Sequence, residues 1–332
     1  MFIICGIDTS FDDTSISILN KNKVLSNIRK TYNFKKYKGV IPNIVSKKHN
    51  FNIIKIFNKA LNKAKINIFQ LDLISVTYGP GLIGSLYIGI DFAKTLSVIF
   101  NKPLYKVNHL HAHIFTFLIK NSFLKKKKNI YPFISLIISG GNTYLSVIYN
   151  FFNIKIYGKT LDNPLGEIYD KIANLLNFSY PGAKKIDKYS FKGKKIFDIK
   201  IPFIKNFNFS FSGIFTKFKN LIFLKKYCIY DICLSFQEII FKILFQKIYK
   251  LVKLTKIKNI FITGGVSCNK YLRKKFYICS KYYNLNFYFL DKYIEDNGAM
   301  IANIGYIKYI NHIKYDNNIY PVPKLLLNNY NL

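Results

Sequence analysis

Carboxylates are scarce in this chain of 332 residues: 16 against 51 basic residues, for a formal charge of +35 at pH 7. Arginine is scarcer still, present only as Arg29 and Arg273, so the other 49 basic side chains are lysine. A surface selected for bidentate phosphate contacts is expected to retain arginine. A chain rich in Lys, Asn, Ile, Phe and Tyr therefore reflects coding bias at least as much as function. A charge of this size still creates a positive field and favours nucleic acid over an acidic protein partner. Proline occurs nine times and hydrophobic residues make up 50% of the chain, which excludes a disordered polypeptide. Cys5, Cys228, Cys233, Cys268 and Cys279 form no Cys-x-x-Cys pair. Neither a zinc knuckle nor a disulfide framework is supported, and a reducing, cytoplasmic compartment fits. The most apolar runs, at 134–139 and 257–263, are six and seven residues long, against about 20 for a membrane span. The opening run has no basic leader and soon meets Asp8, so neither a span nor a signal peptide is expected.

The length suits two lobes of about 150 residues each. Residues 2–7 read as a buried strand, 8–14 as a polar turn and 15–19 as an alternating return strand. The plan recurs at 133–138, 139–143 and 144–148. A third strand, at 260–262, runs into Thr263-Gly264-Gly265-Val266 and a helix expected from Asn269. Such glycine turns let backbone N–H groups approach phosphate oxygens, and equally they serve as plain tight hairpins. Residues 43–61 and 235–254 have the spacing of amphipathic helices, and 71–76 that of a strand. Residues 78–86 read as a tight turn opening a helix that runs to Phe100. His49 is expected to pack or face solvent rather than ligate, and the lysines at 125–128 to form a solvated loop.

Three of the five histidines fall in Asn108-His109-Leu110-His111-Ala112-His113. In a helix His109 and His113 share a face, while His111 is rotated by about 200° from His109. A histidine pair at i,i+4 suits a divalent metal but supplies only two ligands, and spacing alone cannot name a third. Polar packing is the alternative. The few carboxylates gather at Asp8, Asp12 and Asp13, at Asp162, Glu167 and Asp170, and at Glu295 and Asp296. In a chain so poor in acid, these groups beside glycine turns point to a cation-dependent phosphate or acyl-adenylate site. Helix capping is the competing role for Glu167, Asp170 and Asp296.

Ten blocks, in order, resemble the universal tRNA N6-threonylcarbamoyladenosine transferase family, once described as sialoglycoprotease-like. They begin with Gly6-Ile7-Asp8-Thr9-Ser10-Phe11-Asp12-Asp13-Thr14, and with Gly39-Val40-Ile41-Pro42 followed by Ser46-Lys47-Lys48-His49. Next come Thr77-Tyr78-Gly79-Pro80-Gly81-Leu82 with Gly84-Ser85-Leu86, the His109-x-x-x-His113 motif, and Ser139-Gly140-Gly141 with Thr143. Asp162, Gly166-Glu167 and Asp170-Lys171 follow, then Tyr180-Pro181-Gly182 and Phe209-Ser210-Phe211-Ser212-Gly213. Gly264-Gly265-Val266 with Asn269, and Asp296-Asn297-Gly298-Ala299-Met300, complete the set. The resemblance spans residues 3–310.

It implies an α/β, actin-like fold of the sugar kinase and heat-shock ATPase superfamily, two lobes with duplicated ribonuclease-H-like domains. The division expected is 1–107 for an N-terminal lobe, 108–295 for a C-terminal lobe carrying the histidine motif and glycine loops, and 296–332 for a segment returning to the first lobe. By the same resemblance the chain moves a threonylcarbamoyl group from threonylcarbamoyl-AMP to the N6 amine of adenosine 37, in tRNAs reading codons that begin with adenosine. His109, His113 and Asp296 would hold one divalent metal, Fe(2+) or Zn(2+), and Asp12 would be catalytic. Ser139, Gly140, Gly141, Asp162, Gly166, Glu167, Asp170, Lys171, Gly182, Gly264, Gly265 and Asn269 would bind the adenylate or an ATP-like ligand. The implied partners are tRNA, a shorter paralogous actin-like protein, a small ATPase and an upstream threonylcarbamoyl-AMP synthase, with no membrane. Departures from the family pattern are Phe11 for cysteine, Asn43 for glutamate, His111 for glutamate, Asn142 for histidine, Asn163 for aspartate, Ala183 for glycine and Phe215 for lysine. The competing readings are a noncatalytic nucleotide-binding scaffold and another actin-like ATPase or kinase.

Overall fold

The computed structural model describes residues 1–32, 41–119, 130–179, 182–197, 199–202, 204–315 and 318–327. Gly39, Val40, Tyr180, Pro181 and the lysines at 125–128 lie outside these described residues. The chain forms two compact units, one of Met1–Lys128 with Glu295–Leu332 and the other of Asn129–Ile294.

In the first unit, β1 (Ile3–Asp8), β2 (Asp13–Asn20) and β3 (Lys23–Thr31) form an antiparallel meander. β4 (Leu73–Gly79) and β5 (Leu104–Asn108) then add in parallel, giving the order β3-β2-β1-β4-β5. β1 is buried on both faces, so it reads as an unbroken apolar run rather than an alternating one. Helices α1 (Pro42–Ala64) and α2 (Ile83–Phe100) send Ile53, Ile56, Phe57, Leu86, Ile90 and Ala93 into the core with Ile7 and Val76. By length and composition α2 would pass for a membrane span, against the sequence expectation. Gly89, Asp91 and Lys94 divide it into runs too short to stand out in the sequence, and its buried side belongs to this core.

Helix α3 (His109–Phe115) follows β5 directly, so the histidine motif belongs to this unit. The boundary expected after residue 107 therefore differs from the division seen, and 296–332 is part of the first unit. A strand ending in a short helix resembles a domain boundary in sequence, but β5 hydrogen-bonds to β4 and carries α3 with it. Helix α9 (Gly298–Ile310) closes the unit on β1. The two backbones touch: a Cβ on Gly6 would lie 2.1 Å from the Gly298 carbonyl oxygen, and one on Gly298 would lie 2.4 Å from that of Gly6.

The second unit repeats the plan. β6 (Phe133–Ile138), β7 (Thr143–Ile148) and β8 (Ile154–Lys159) form the meander, and β9 (Asn259–Thr263) and β10 (Asn286–Phe289) add in parallel, in the order β10-β9-β6-β7-β8. This is the first sheet's connectivity read from its other edge, the duplication that the resemblance implied. Its helices are α4 (Leu165–Leu175), α5 (Gly182–Ser190), α6 (Ser212–Phe223), α7 (Ile229–Thr255) and α8 (Lys270–Tyr283). α7 extends beyond the expected 235–254 and buries Ile232, Phe236, Ile240, Leu244 and Leu251.

Because a methyl group on Gly6 would press on the Gly298 and Ala302 backbone and on the short Ala302 side chain, none of which can swing aside, Gly6→Ala should lower the unfolding free energy by about 3 kcal/mol. A urea midpoint shift with unchanged m-value checks it.

Candidate functional site

In the first unit, Asn108 ends β5 and caps α3, its Oδ1 accepting from the N–H groups of Leu110 (2.9 Å) and His111 (3.3 Å). The cap fixes the helix register that turns His109 and His113 to one side. Their rings meet edge to face with centroids 4.7 Å apart. Asp296 comes from just before α9, its Oδ1 3.0 Å from His113 Nε2 and 3.3 Å from His109 Nε2. The three ligand atoms lie within 4.8 Å of one another. His111 points elsewhere, buried with its ring against Phe115. The capping role considered for Asp296 belongs instead to Asn297, whose Oδ1 accepts from Met300 N–H at 3.0 Å.

His109 is held from behind. Its Nδ1 lies 3.2 Å from Ser10 Oγ and 3.5 Å from Asp8 Oδ2, while Asp8 Oδ1 accepts from Thr77 Oγ1 at 2.8 Å. Both ring nitrogens of His109 thus face oxygen, Nδ1 toward Ser10 and Asp8 and Nε2 toward Asp296, so Nδ1 is held by the protein and Nε2 is the atom placed to ligate a metal. Burial pushes the His109 imidazole down, but Asp296 and Asp8 outweigh it and raise its pKa to about 10. For Asp296 burial acts upward, and the charge and hydrogen bonds of His109 and His113 hold it well below the usual carboxylate range. Two imidazoles and a carboxylate, packed with a proton in place of a cation, are a donor set that fits a divalent metal.

Asp12 sits in the turn between β1 and β2. Burial raises its pKa, its own backbone N–H opposes this, and the charge of Asp296 adds to the rise. The turn is pinned at four points. Asp8 accepts from Thr77, the Ser10 carbonyl from Leu82 N–H (2.8 Å), the Phe11 carbonyl faces His49 Nε2 (2.8 Å), and Asp13 Oδ2 takes Arg29 Nη2 (2.7 Å). His49 is thus buried and bonded, its Nδ1 2.6 Å from Thr14 Oγ1.

In the second unit, Ser139, Gly140 and Gly141 make the β6–β7 turn, closed by Ser139 N–H to the Asn142 carbonyl at 2.9 Å. Gly166, at the start of α4, lies against it: a Cβ there would be 2.5 Å from Ser139 O. Gly264 follows β9 with φ +88°, and a Cβ would sit 2.6 Å from the Ile138 carbonyl oxygen, so this position admits only glycine. The structure thus gathers both glycine turns and Gly166 at one end of the sheet. A Cβ on Gly140 or Gly265 would meet nothing within 4 Å, as a backbone open to a ligand requires.

The other expected ligands are engaged by the protein. Asp162 accepts from Ser210 Oγ (2.6 Å) and from the N–H groups of Phe211 and Ser212 (3.0 and 3.1 Å). Desolvation is the largest single influence and raises its pKa, but these bonds together outweigh it and lower it. Glu167 pairs with Lys171 at 2.7 Å and accepts from Asn163 Nδ2 at 2.9 Å, and Asp170 is half-buried on α4. Gly182 packs α5 on α4, since a Cβ would lie 2.1 Å from that of Ala173. Asn269 caps α8 through Leu272 N–H (2.9 Å) and donates to Gln237 Oε1 (3.1 Å).

Two carboxylates have partners that the sequence reading did not foresee. Asp8 was noted among the acidic groups without its role behind His109. Asp187 accepts from the Lys270 and Tyr271 N–H groups, both at 2.9 Å; nothing in its surrounding sequence signals this.

The family model for tRNA N6-adenosine threonylcarbamoyltransferase matches residues 23–303. The protein of that name from Thermosipho africanus is 40% identical over 336 residues, covering 97% of this chain and 99% of its own. That from Mycoplasmopsis synoviae is 43% identical over 311 residues, 92% of this chain and 98% of its own. The chain belongs to this family. The fold is that of actin-like proteins. Component A of the Acidaminococcus fermentans (R)-2-hydroxyglutaryl-CoA dehydratase matches 93% of this chain and all of its own, with TM-score 0.57 at 14% identity. HypF from T. kodakarensis matches 94% of this chain and 48% of its own, with TM-score 0.64 at 13% identity.

The departures from the family pattern are accommodated locally. Phe11 packs edge-on against His109 with centroids 5.7 Å apart, Asn163 bridges Glu167 and Ser212, and Phe215 lies under the Lys171 ammonium.

A metal bound by His109 must displace its proton. Since that proton is held up to about pH 10, raising the pH from 6.5 to 8.5 should strengthen metal binding about tenfold per unit. Competition against a chelator of known affinity measures it; a flat profile contradicts the assignment.

Proposed function

We propose that this chain transfers a threonylcarbamoyl group from threonylcarbamoyl-AMP to the N6 amine of adenosine 37 in tRNAs that read codons beginning with adenosine. The observation that carries the reading is the His109, His113 and Asp296 cluster, in a chain matched to the family over nearly its whole length. Neither an actin-like kinase nor a scaffold gives that cluster a role.

Two imidazoles and a carboxylate suit Fe(2+) or Zn(2+), which when bound supplies a Lewis acid for a carbonyl or phosphate oxygen. Asp8 and Ser10 keep His109 in the tautomer that offers Nε2. Asp12 orients the N6 amine and takes its proton as the N6–C bond forms and the C–O bond to AMP breaks. Its raised pKa makes it the stronger base. In the second unit the open N–H groups of the glycine turns at Gly140 and Gly265 are suited to phosphate charge. Asp162, Glu167, Lys171, Gly182 and Asn269 act chiefly by holding the elements around those turns. The pathway needs a synthase that makes the adenylate, and the family resemblance adds a shorter paralogous partner and a small ATPase, all cytoplasmic.

Purified chain, candidate partners, threonylcarbamoyl-AMP and unmodified tRNA, followed by nucleoside mass analysis, test the reading; no modified adenosine rejects it. His109→Ala, His113→Ala and Asp296→Ala should lose metal and activity together. His111→Ala should keep metal but lose about 1–3 kcal/mol of stability through the cavity beside Phe115. Asp12→Asn should keep metal and slow transfer about 10²- to 10⁴-fold. Affinity for tRNA should fall with salt at a log–log slope near about −5 if six phosphates are contacted.

A further inference from the structure

Where only positive charge is needed, lysine serves as well as arginine, and this chain has lysine at 49 of its 51 basic positions. The two arginines each bridge separate segments of their own unit. Arg29, on β3, uses both terminal nitrogens: Nη2 to Asp13 Oδ2 at 2.7 Å and Nη1 to Glu295 Oε2. Asp13 immediately follows Asp12, and Glu295 immediately precedes Asp296. One planar group thus ties the turn bearing the proposed base to the segment bearing the proposed metal ligand. Arg273, on α8, donates Nε–H to the Ser267 carbonyl at 2.7 Å, Nη2–H to the Leu290 carbonyl, and Nη1–H to Asp291 at 3.2 Å. Its guanidinium carbon lies 5.1 Å from the Phe289 ring centroid. Ser267 belongs to the short helix Gly265–Cys268 that continues the second glycine turn, so this group ties that turn to the end of β10.

We propose that Arg29 and Arg273 are positioning residues, loop clamps whose forked geometry lysine cannot reproduce. An ammonium on a flexible stem can reach one of these partners; it cannot hold several along fixed, diverging directions. A rival role, bidentate contact with RNA phosphate, would also be weakened by lysine, but it would show as lost tRNA affinity and not as loosened loops. It is disfavoured for Arg29 because two carboxylates already flank the guanidinium.

The activity arm of the test rests on the transferase reading, and the exchange arm does not. Arg29→Lys, Arg273→Lys and Glu295→Gln are prepared as full chains and checked by thermal melting. Hydrogen–deuterium exchange is then followed at 9–14 and 291–297 for the first and third variants, and at 264–269 and 288–292 for the second. Local exchange should rise about tenfold in the lysine variants, and less in Glu295→Gln, which only removes the charge from one prong. In the reconstituted reaction kcat should fall about tenfold or more, with KM for tRNA within about twofold of wild type. Exchange within about twofold of wild type at these segments overturns the clamps. So does an unchanged kcat with a raised KM and a shallower salt slope, the mark of a phosphate contact. Should a lysine variant not fold, Glu295→Gln decides for Arg29 and Asp291→Asn for Arg273, with the same criteria. A wild-type chain that transfers nothing rejects the functional reading while leaving the exchange comparison to decide this one.

Discussion

The backbone of β1 touches the backbone of α9 at Gly6 and Gly298, and the geometry of the first unit's site depends on that contact. With no Cβ on either side, the helix start approaches until Gly298 N–H donates to Ser15 Oγ at 2.9 Å. That approach brings Asp296, from nearly 200 residues further along the chain, to the imidazoles of α3. Any side chain at either glycine would hold the helix away, and His109 and His113 would face one another without their oxygen partner. A packing constraint thus sets the composition of a polar site.

The second constraint is electrostatic. Asp8 and His109 are almost wholly buried, and Asp296 is largely covered. Isolated, each would be costly in its charged form. In the order Asp8, His109, Asp296 the signs alternate, so each charge is offset by its neighbour. A divalent cation placed among the Nε2 atoms and Asp296 would preserve that alternation while releasing the imidazole proton. The four-point pinning of the 8–13 turn keeps Asp12 close to this charge without making it a ligand.

Much of this was legible in the sequence. The strand at 133–138 is found with the same limits, because both its faces are buried and its ends are marked by a proline and a glycine turn. The histidine register followed from helical periodicity alone, and the Asn108 cap that fixes it is seen only in the structure. The roles of Asp8 and Asp187 were not legible, because each depends on partners far away in sequence, Thr77 and His109 for one and the α8 N-terminus for the other. Nor was the unit boundary, since β5 and α3 are joined to the first unit by hydrogen bonds to β4 and not by any local pattern. The expected ligand set came from the resemblance, and the protein contacts of its members, such as the helix-start N–H groups that Asp162 accepts from, were not legible because they come from segments far away in sequence.

The departures from the family pattern follow the same logic as the charge balance. Asn163 stands for an acid and Phe215 for a base, so one negative and one positive charge are lost together and the net charge around α4 is unchanged. What is left is paired anew. Glu167 keeps Lys171 and takes an amide donor from Asn163, whose own oxygen accepts from Ser212 Oγ at 3.1 Å, and the Lys171 ammonium lies 5.9 Å from the Phe215 ring centroid. Around these residues the Ser139–Asn142 turn is closed and Asp162 keeps its three donors from Ser210, Phe211 and Ser212, so the substitutions are absorbed by side chains while the backbone contacts hold.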